Sequence, residues 1–454
     1  MSTGTHVETW SSNVAFYLSV AGAAVGLGTL WRFPFLAGQH GGGLFVLVFV
    51  AASVLIAVPL LVAEFMIGRR GGPNVPLAAG RVAVASGRSS RWAAIGVLGT
   101  LAISLIMTYY SVIGGWVLAY VADYVGGATA GLTHAEITAR FNALLADPWR
   151  LTIWHAAFMA ATLAISAAGL HRGIELANKI MLPGLFIILL GLAAYALRQG
   201  DAGRAIGFLT QVDFSRLSGE LVLAAVGQAF FATGVGMAIM IAYGSHVAAA
   251  TSLPRSAMVV TVSIILASVL ASVLIFPLVF ASGVDPTHGP QLAFVVLPSI
   301  FIDMPGGGIV GALFFLLLAF AALSSSIAGL DPAGGWLMER FGLKRVPAVT
   351  IVAAVGWFFG LAMVLSFNHW SDVHPLAAIA RFREATIFDV TDAFASNVLL
   401  PVGALLTSLF VGWRVDRQVI AAEFGSNPRV AAILSVLLRY ICPIAIAAVL
   451  VTAI

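Results

Sequence analysis

Eleven apolar stretches, each long enough to cross a bilayer and bounded by Gly, Pro or charge, run along the chain at approximately 12–38, 43–68, 92–122, 151–169, 174–197, 219–245, 256–282, 308–338, 347–367, 386–412 and 429–453. Two of them are interrupted. The first reads GAAVGLGTLWRFPF from Gly22, and the sixth carries Gly234-Val235-Gly236. Glycines lower the cost of leaving helical geometry and let backbone groups face a ligand, whereas Arg32 at that depth needs a partner or water. Lying five spans apart, the breaks predict an inverted five-plus-five repeat, 12–197 and 219–412, followed by an extra span at 429–453. The expected fold class is therefore an all-α polytopic membrane protein, a single domain over 1–454 with eleven transmembrane helices and a midplane site. The plainer alternative is that the glycines only let helices pack closely.

Composition supports the membrane assignment. The chain is 60% hydrophobic and 9% charged with a mean hydropathy of +1.02, against about 25% charge in an ordinary soluble domain. Its single cysteine, Cys442, excludes an internal disulfide and a cysteine metal cluster. With an inside N-terminus, the inner loops hold fourteen Lys and Arg residues and the outer loops seven, with Arg32 and Arg439 inside spans. That asymmetry predicts a multi-pass protein of the cell's inner (plasma) membrane with a cytoplasmic N-terminus. The lipid bilayer is thus an expected partner; nucleic acid is not, because no basic block exists. No Lys or Arg precedes Arg32, so the start does not read as a cleavable signal peptide. Enzyme motifs are missing: there is no HExxH, GxxxxGK[ST] or GxSxG, and the Gly22–Gly28 run follows no strand.

Several side chains could carry ion and substrate chemistry. In the eighth span, AFAALSSSIAGLDP, residues Ala321, Ser324 and Ser325 lie one turn apart and can offer a carbonyl and two hydroxyls to a hard cation beside the first-span break. The competing reading has these serines bonding back to their own helix. Tyr110 offers a phenol suited to a carboxylate, although most buried tyrosines are simply packed. Arg32 needs an acid, and Asp392 near the outer end of the tenth span can supply it across water. On the inner side Glu339 is expected near His246 and the N-terminal segment holding Trp10. Outer segments 285–305 and 368–385 read as caps over the mouth.

Together the stretches AVGLG, WRFP, HGGGLF, PLLVAEFMIGRRGG, TYYSVIGGW, GIELANKIMLP, VGQAFF, SSSIAG and DAFASNVLLPVG resemble the neurotransmitter:sodium symporter family almost end to end, on the side of its eleven-span bacterial amino-acid transporters. The resemblance implies a sodium position at the Gly22, Val25 and Ala321 carbonyls and the Ser324 and Ser325 hydroxyls. It implies that Leu27 and Gly28 amides with Tyr110 hold a substrate carboxylate, that Phe231 closes over it, and that Gly26 favours an amino-acid-type substrate. Ala23, Ala24, Ile106, Phe230, Gly234, Met237, Ser325 and Gly329 would complete the pocket; its small residues predict room for a large apolar or aromatic side chain. The spacing Gly173 to Pro183 matches the family's helix-breaking element in the fifth span.

Departures from the family are informative. At its other sodium position Thr29, Ala232 and Ile264 (or Ser263) replace oxygen-bearing side chains, leaving the Ala24 carbonyl, so one coupled sodium is expected. Phe49 stands for the usual tyrosine at the chloride position, where Gln228 and Ser268 remain, so the case for chloride is weak. Val7 occupies the position of the basic inner-gate residue, with His6 adjacent, and His246 replaces a tyrosine opposite Glu339, which leaves room for a pH-sensitive inner gate. The resulting expectation is a sodium-coupled importer of an amino acid working by alternating access. The alternative is a membrane sensor of the same fold that binds ligand without productive transport; an ion channel lined by Ser324 to Ser326 is disfavoured because no carbonyl or acidic rings are evident. Sequence alone leaves the oligomeric state open.

Overall fold

The computed structural model describes residues 8–283, 292–424 and 427–453, and the described residues form helices without strands. Each apolar stretch becomes a helix or a broken pair. The first span is Asn13–Ala24 followed by Gly28–Gln39, bent by 61° across the glycines. Ser12 starts it, its hydroxyl accepting from Ala15 N at 3.1 Å. Gly43–Gly71, Ser90–Val125, Pro148–Ala167 and Leu170–Gln199 are the second to fifth spans. The sixth is split into Gly219–Thr233 and Ile239–Gly244. Leu253–Ala281, Gly307–Phe341, Arg345–Leu365, Ile387–Trp413 and Pro428–Thr452 complete the set. Eight of these helices meet a length and hydropathy standard for crossing a membrane, nine with the bent first pair. The fourth span and the halves of the sixth make up the eleven.

Packing places the broken spans at the centre. The first span contacts the fifth, seventh and eighth, and the third packs along the eighth. The periphery inverts the pattern of a soluble protein: Ile187, Phe358 and Ile444 are exposed, which suits lipid rather than water. The sixth-span break is specified locally. Gly234 and Gly236 have φ of 66° and 85°, and Ala238 at 61° is the sole non-glycine residue with positive φ among those described. A left-handed alanine is costly and persists only where surroundings impose it. Glu64, buried in the second span, accepts from Gly236 N at 2.8 Å and so anchors the unwound strand of backbone.

Two local expectations change. The Gly173–Pro183 segment is helical throughout, with a wide π turn over Leu170–Glu175 and the helix running on through Pro183. The outer segment expected at 285–305 contains the apolar stretch Leu292–Ile302, whose Phe294 packs among Trp31, Trp116, Tyr120 and Phe141. Residues 284–291 of that segment lie outside the described residues.

Candidate substrate and ion site

Between the two breaks lies a cavity of about 50 Å³. Ala23, Ala24, Leu27, Gly28, Ile106, Tyr110, Phe231, Gly234, Met237 and Ser325, all assigned to the pocket from sequence, line it. Leu27 N donates to the Tyr110 hydroxyl at 3.4 Å, so the phenol stands at the backbone freed by the first break. A side chain at Gly26 would lie 2.6 Å from Ser325 Oγ and 3.0 Å from the Tyr110 hydroxyl, so both oxygens converge on that glycine. Thr29 and Ser326 also line it, and the remaining walls are apolar. One end is therefore suited to a carboxylate and the other to a hydrocarbon side chain.

Phe230 and Gly329 fall outside this cavity. Gly329 does not add volume: a methyl group there would meet Met107 Sδ at 2.6 Å, because that thioether fills the space the missing side chain leaves. Gly234 does line the cavity, with Met240 and Met237 at ordinary contact distance, 3.5 and 3.8 Å from where its side chain would be. Flexible methionines thus occupy the room inferred from small residues, and they can also vacate it. Ile103, Met107 and Ile239 line the cavity without having been singled out in the sequence.

Above it, a second cavity of about 250 Å³ holds Arg32, Trp31, Phe35, Tyr109, Phe388 and Asp392. Phe231 lines both, with its ring against Gly28 and the Arg32 guanidinium 4.6 Å above the ring centroid. Asp392 accepts from Ser396 Oγ at 2.9 Å, and Ser396 also meets the Tyr109 hydroxyl at 3.2 Å. Arg32 and Asp392 face one cavity without a direct ion pair among the described residues.

On the eighth span, Ser324 Oγ donates back to Ala321 O at 3.1 Å, whereas the buried Ser325 Oγ bonds to no backbone carbonyl and lies towards the Tyr110 hydroxyl. Val25 leaves helical geometry (φ −80°, ψ 74°), and Gly26 N turns to Ala24 O at 2.9 Å rather than to the Gly22 carbonyl. Gly22 abuts Ser324, and a methyl group on it would collide with Asn178 Oδ1. Carbonyl and hydroxyl oxygens therefore gather where the first, fifth and eighth spans meet. The other ion position differs. Thr29 Oγ1 bonds to Ala24 O at 3.4 Å, Ala232 and Ile264 are buried and apolar, and Ser263 bonds within its own helix to Val259 O at 2.9 Å.

The family model of the sodium:neurotransmitter symporters matches residues 7–143 and 137–454. The chain belongs to that family. Among its relatives, an uncharacterised sodium-dependent transporter of Bacillus subtilis, YhdH, is 35% identical over 441 residues, 96% of this chain and 95% of the relative. One from Haemophilus influenzae is 32% identical over 413 residues, 89% of each chain. The crystal structure of MhsT in complex with L-phenylalanine is 36% identical, with a TM-score of 0.89 over 99% of this chain and 100% of that one. The fold is accordingly the symporter family's five-plus-five inverted repeat with broken first and sixth spans. This multi-pass membrane protein is a sodium-dependent transporter and not an enzyme.

Against that family pattern the inner side is rearranged. Trp10 is buried, its indole donating to Tyr243 O at 3.1 Å and its amide to His246 O at 3.1 Å. His246 Nδ1 lies 2.7 Å from Glu8 O, a geometry in which the ring donates to the carbonyl. Glu339 is not part of this cluster: it pairs with Arg81 on the helix Val75–Ala85. His6 and Val7 lie outside the described residues. Asp331 bonds to Arg345 at 2.6 Å and Glu175 binds Ser11 N at 3.2 Å and Lys179 at 2.6 Å. Burial pushes the His246 pKa below its ordinary value, outweighing the Glu8 carbonyl and the Asp331 charge that raise it.

Sequence reasoning passed over Glu64 and Asn178, although each stood inside a quoted motif. The signal was available: an ionisable or amide side chain within a membrane span needs a partner, and its position alone marks it as a candidate.

Proposed function

We propose that the chain imports an amino acid with a large apolar or aromatic side chain, coupled to one sodium ion, across the plasma membrane with its N-terminus inside. The observation that carries this reading is the convergence of Leu27 N, the Tyr110 hydroxyl and Ser325 Oγ on the first-span break, facing a mostly apolar cavity. MhsT, similar over nearly the whole chain, holds L-phenylalanine. In this reading the substrate carboxylate meets the Leu27 and Gly28 amides and Tyr110, its side chain displaces Met107 and Met237, and Phe231 closes above it. The co-transported sodium takes the Gly22, Val25 and Ala321 carbonyls with Ser324 and Ser325, after Ser324 gives up its bond to Ala321. An oxygen-rich, water-poor position of this kind suits a hard monovalent cation. The oxygen-poor second position supports a single ion, and the membrane potential adds about 2.3 kcal/mol per charge per 100 mV, so one suffices to drive uptake. Chloride has little to recommend it, since Gln228 Nε2 is engaged by Gly28 O at 2.9 Å and Phe49 offers no donor.

Proteoliposome uptake of labelled tryptophan, phenylalanine, leucine and alanine, with and without an inward sodium gradient, tests the reading. Accumulation of the larger substrates with a sodium Hill coefficient near one is expected. Binding without accumulation would instead establish the sensor alternative, and equal preference for alanine would overturn the pocket assignment.

A further inference from the structure

Asn178 is fully buried in the fifth span, and its side chain is half used. Nδ2 donates to Ile174 O at 2.9 Å, which fixes the orientation of the amide, because the reverse orientation would set two oxygens against each other. Oδ1 then points at Gly22, where only the absence of a side chain admits it, and Gly22 is itself packed on Ser324. Among the described residues this oxygen has no hydrogen-bond partner. A buried amide oxygen without a donor loses its hydration with no return, so a native structure that keeps one calls for an explanation. The nearest hydroxyl, Ser324, spends its proton on Ala321 O. A cation, by contrast, would use every oxygen there.

We propose that Asn178 Oδ1 is a side-chain ligand of the transported sodium, contributed by the fifth span to the oxygens of the first and eighth. The inference rests on the sodium position proposed above and adds a residue to it. It gives the ion a grip on three spans. Asn178 lies midway between Gly173 and Pro183, one turn from Glu175, which holds Ser11 of the N-terminal segment. Ion occupancy is thereby linked through one helical turn to the segment that seals the inner side.

The test is sodium-dependent thermal stabilisation of the purified full-length protein, titrating sodium chloride against N-methylglucamine chloride at constant ionic strength, with fluorescence of the ten tryptophans as readout. It needs no knowledge of the substrate. Asn178→Ala should raise the half-maximal sodium concentration about tenfold. Asn178→Asp keeps the oxygen and loses the donor to Ile174. It should return the half-maximal concentration to within about threefold of the parent or below it, tenfold being one lost ligand. If Asn178 acts only through its bond to Ile174, Asp fares no better than Ala, and that result overturns the proposal. So does an unchanged sodium titration in Asn178→Ala. Should the alanine variant fail to fold, the aspartate variant decides alone: weakened sodium response overturns, retained or tightened response supports. Ser324→Ala runs in parallel. If it shifts the titration and Asn178→Ala does not, only this inference falls; if Ser324→Ala itself has no effect, the underlying sodium position is wrong.

Discussion

The two places where this family sets its ions differ here in what surrounds the same kind of backbone break. Beside Ser324, two spans present hydroxyls and freed carbonyls around Gly22 and Val25. Beside Thr29, a few residues further along the same first span, the neighbours are Ala232 and Ile264, and the lone hydroxyl is bonded to Ala24 O. A broken helix therefore does not make a cation site. It frees carbonyls, and side chains on the facing helices decide whether enough oxygens converge to replace the water an ion must shed.

That contrast breaks most readily at Ser324. Ser324→Ala should weaken the sodium dependence of uptake by tenfold or more, and Thr29→Ala should shift it less than twofold, since removing a hydroxyl from an incomplete site costs only its bond to Ala24. Equal shifts in sodium titrations would mean that both positions hold ions. Next comes Tyr110→Phe, which deletes the phenol hydroxyl proposed for the carboxylate. A hydrogen bond to a charged group contributes about 1.5–3 kcal/mol, so KM should rise roughly tenfold or more while sodium-only stabilisation stays in place. A KM within twofold of the parent would remove Tyr110 from the substrate site. The comparison sharpens if the poor position can be rebuilt: Ala232→Thr with Ile264→Asn restores two side-chain oxygens, and the sodium Hill coefficient should climb from near one towards two. An unchanged coefficient in a folded double variant would show that more than these two side chains separates the positions.

Legibility in the sequence followed the range of the forces involved. Span positions depend on runs of apolar residues and came within a few residues of the helices, as with 43–68 against Gly43–Gly71. The breaks were marked by glycines because backbone strain is local, and Gly234 and Gly236 do adopt positive φ. The place of Gly329 was hidden for the opposite reason. Gly329 shows a missing side chain, but nothing in the string says that Met107, on another span, would fill the gap. Glu339 was assigned to Trp10 and His246 by position along the family pattern, yet ion pairs are chosen by distance in space, and Arg81 was closer. Asn178 stands out as an amide inside a span, but which oxygens it joins shows only once the fifth span lies against Gly22.

The smallest effect is expected where a replacement changes chemistry instead of deleting it. Ile264 removes an oxygen, whereas His246 brings a group that titrates, held between the Glu8 carbonyl and the Trp10 ring with Asp331 and Arg345 acting at longer range. Burial makes the closed inner mouth a poor place for imidazolium, so its pKa lies below 6.5 in this arrangement and near that ordinary value once the ring is released to water. Above pH 6.5 both states are neutral and closure has its full stability. As the pH falls through that value the opened state takes up the proton first, and closure weakens until the closed form titrates as well. Hydrogen exchange at the Trp10 amide, which donates to His246 O, reports this directly. After correction for intrinsic exchange, protection should decline modestly as the pH falls from 7.5 to 5.5. In His246→Gln the decline should vanish. Persistence of the same decline in that variant would place the titrating group elsewhere in the inner cluster.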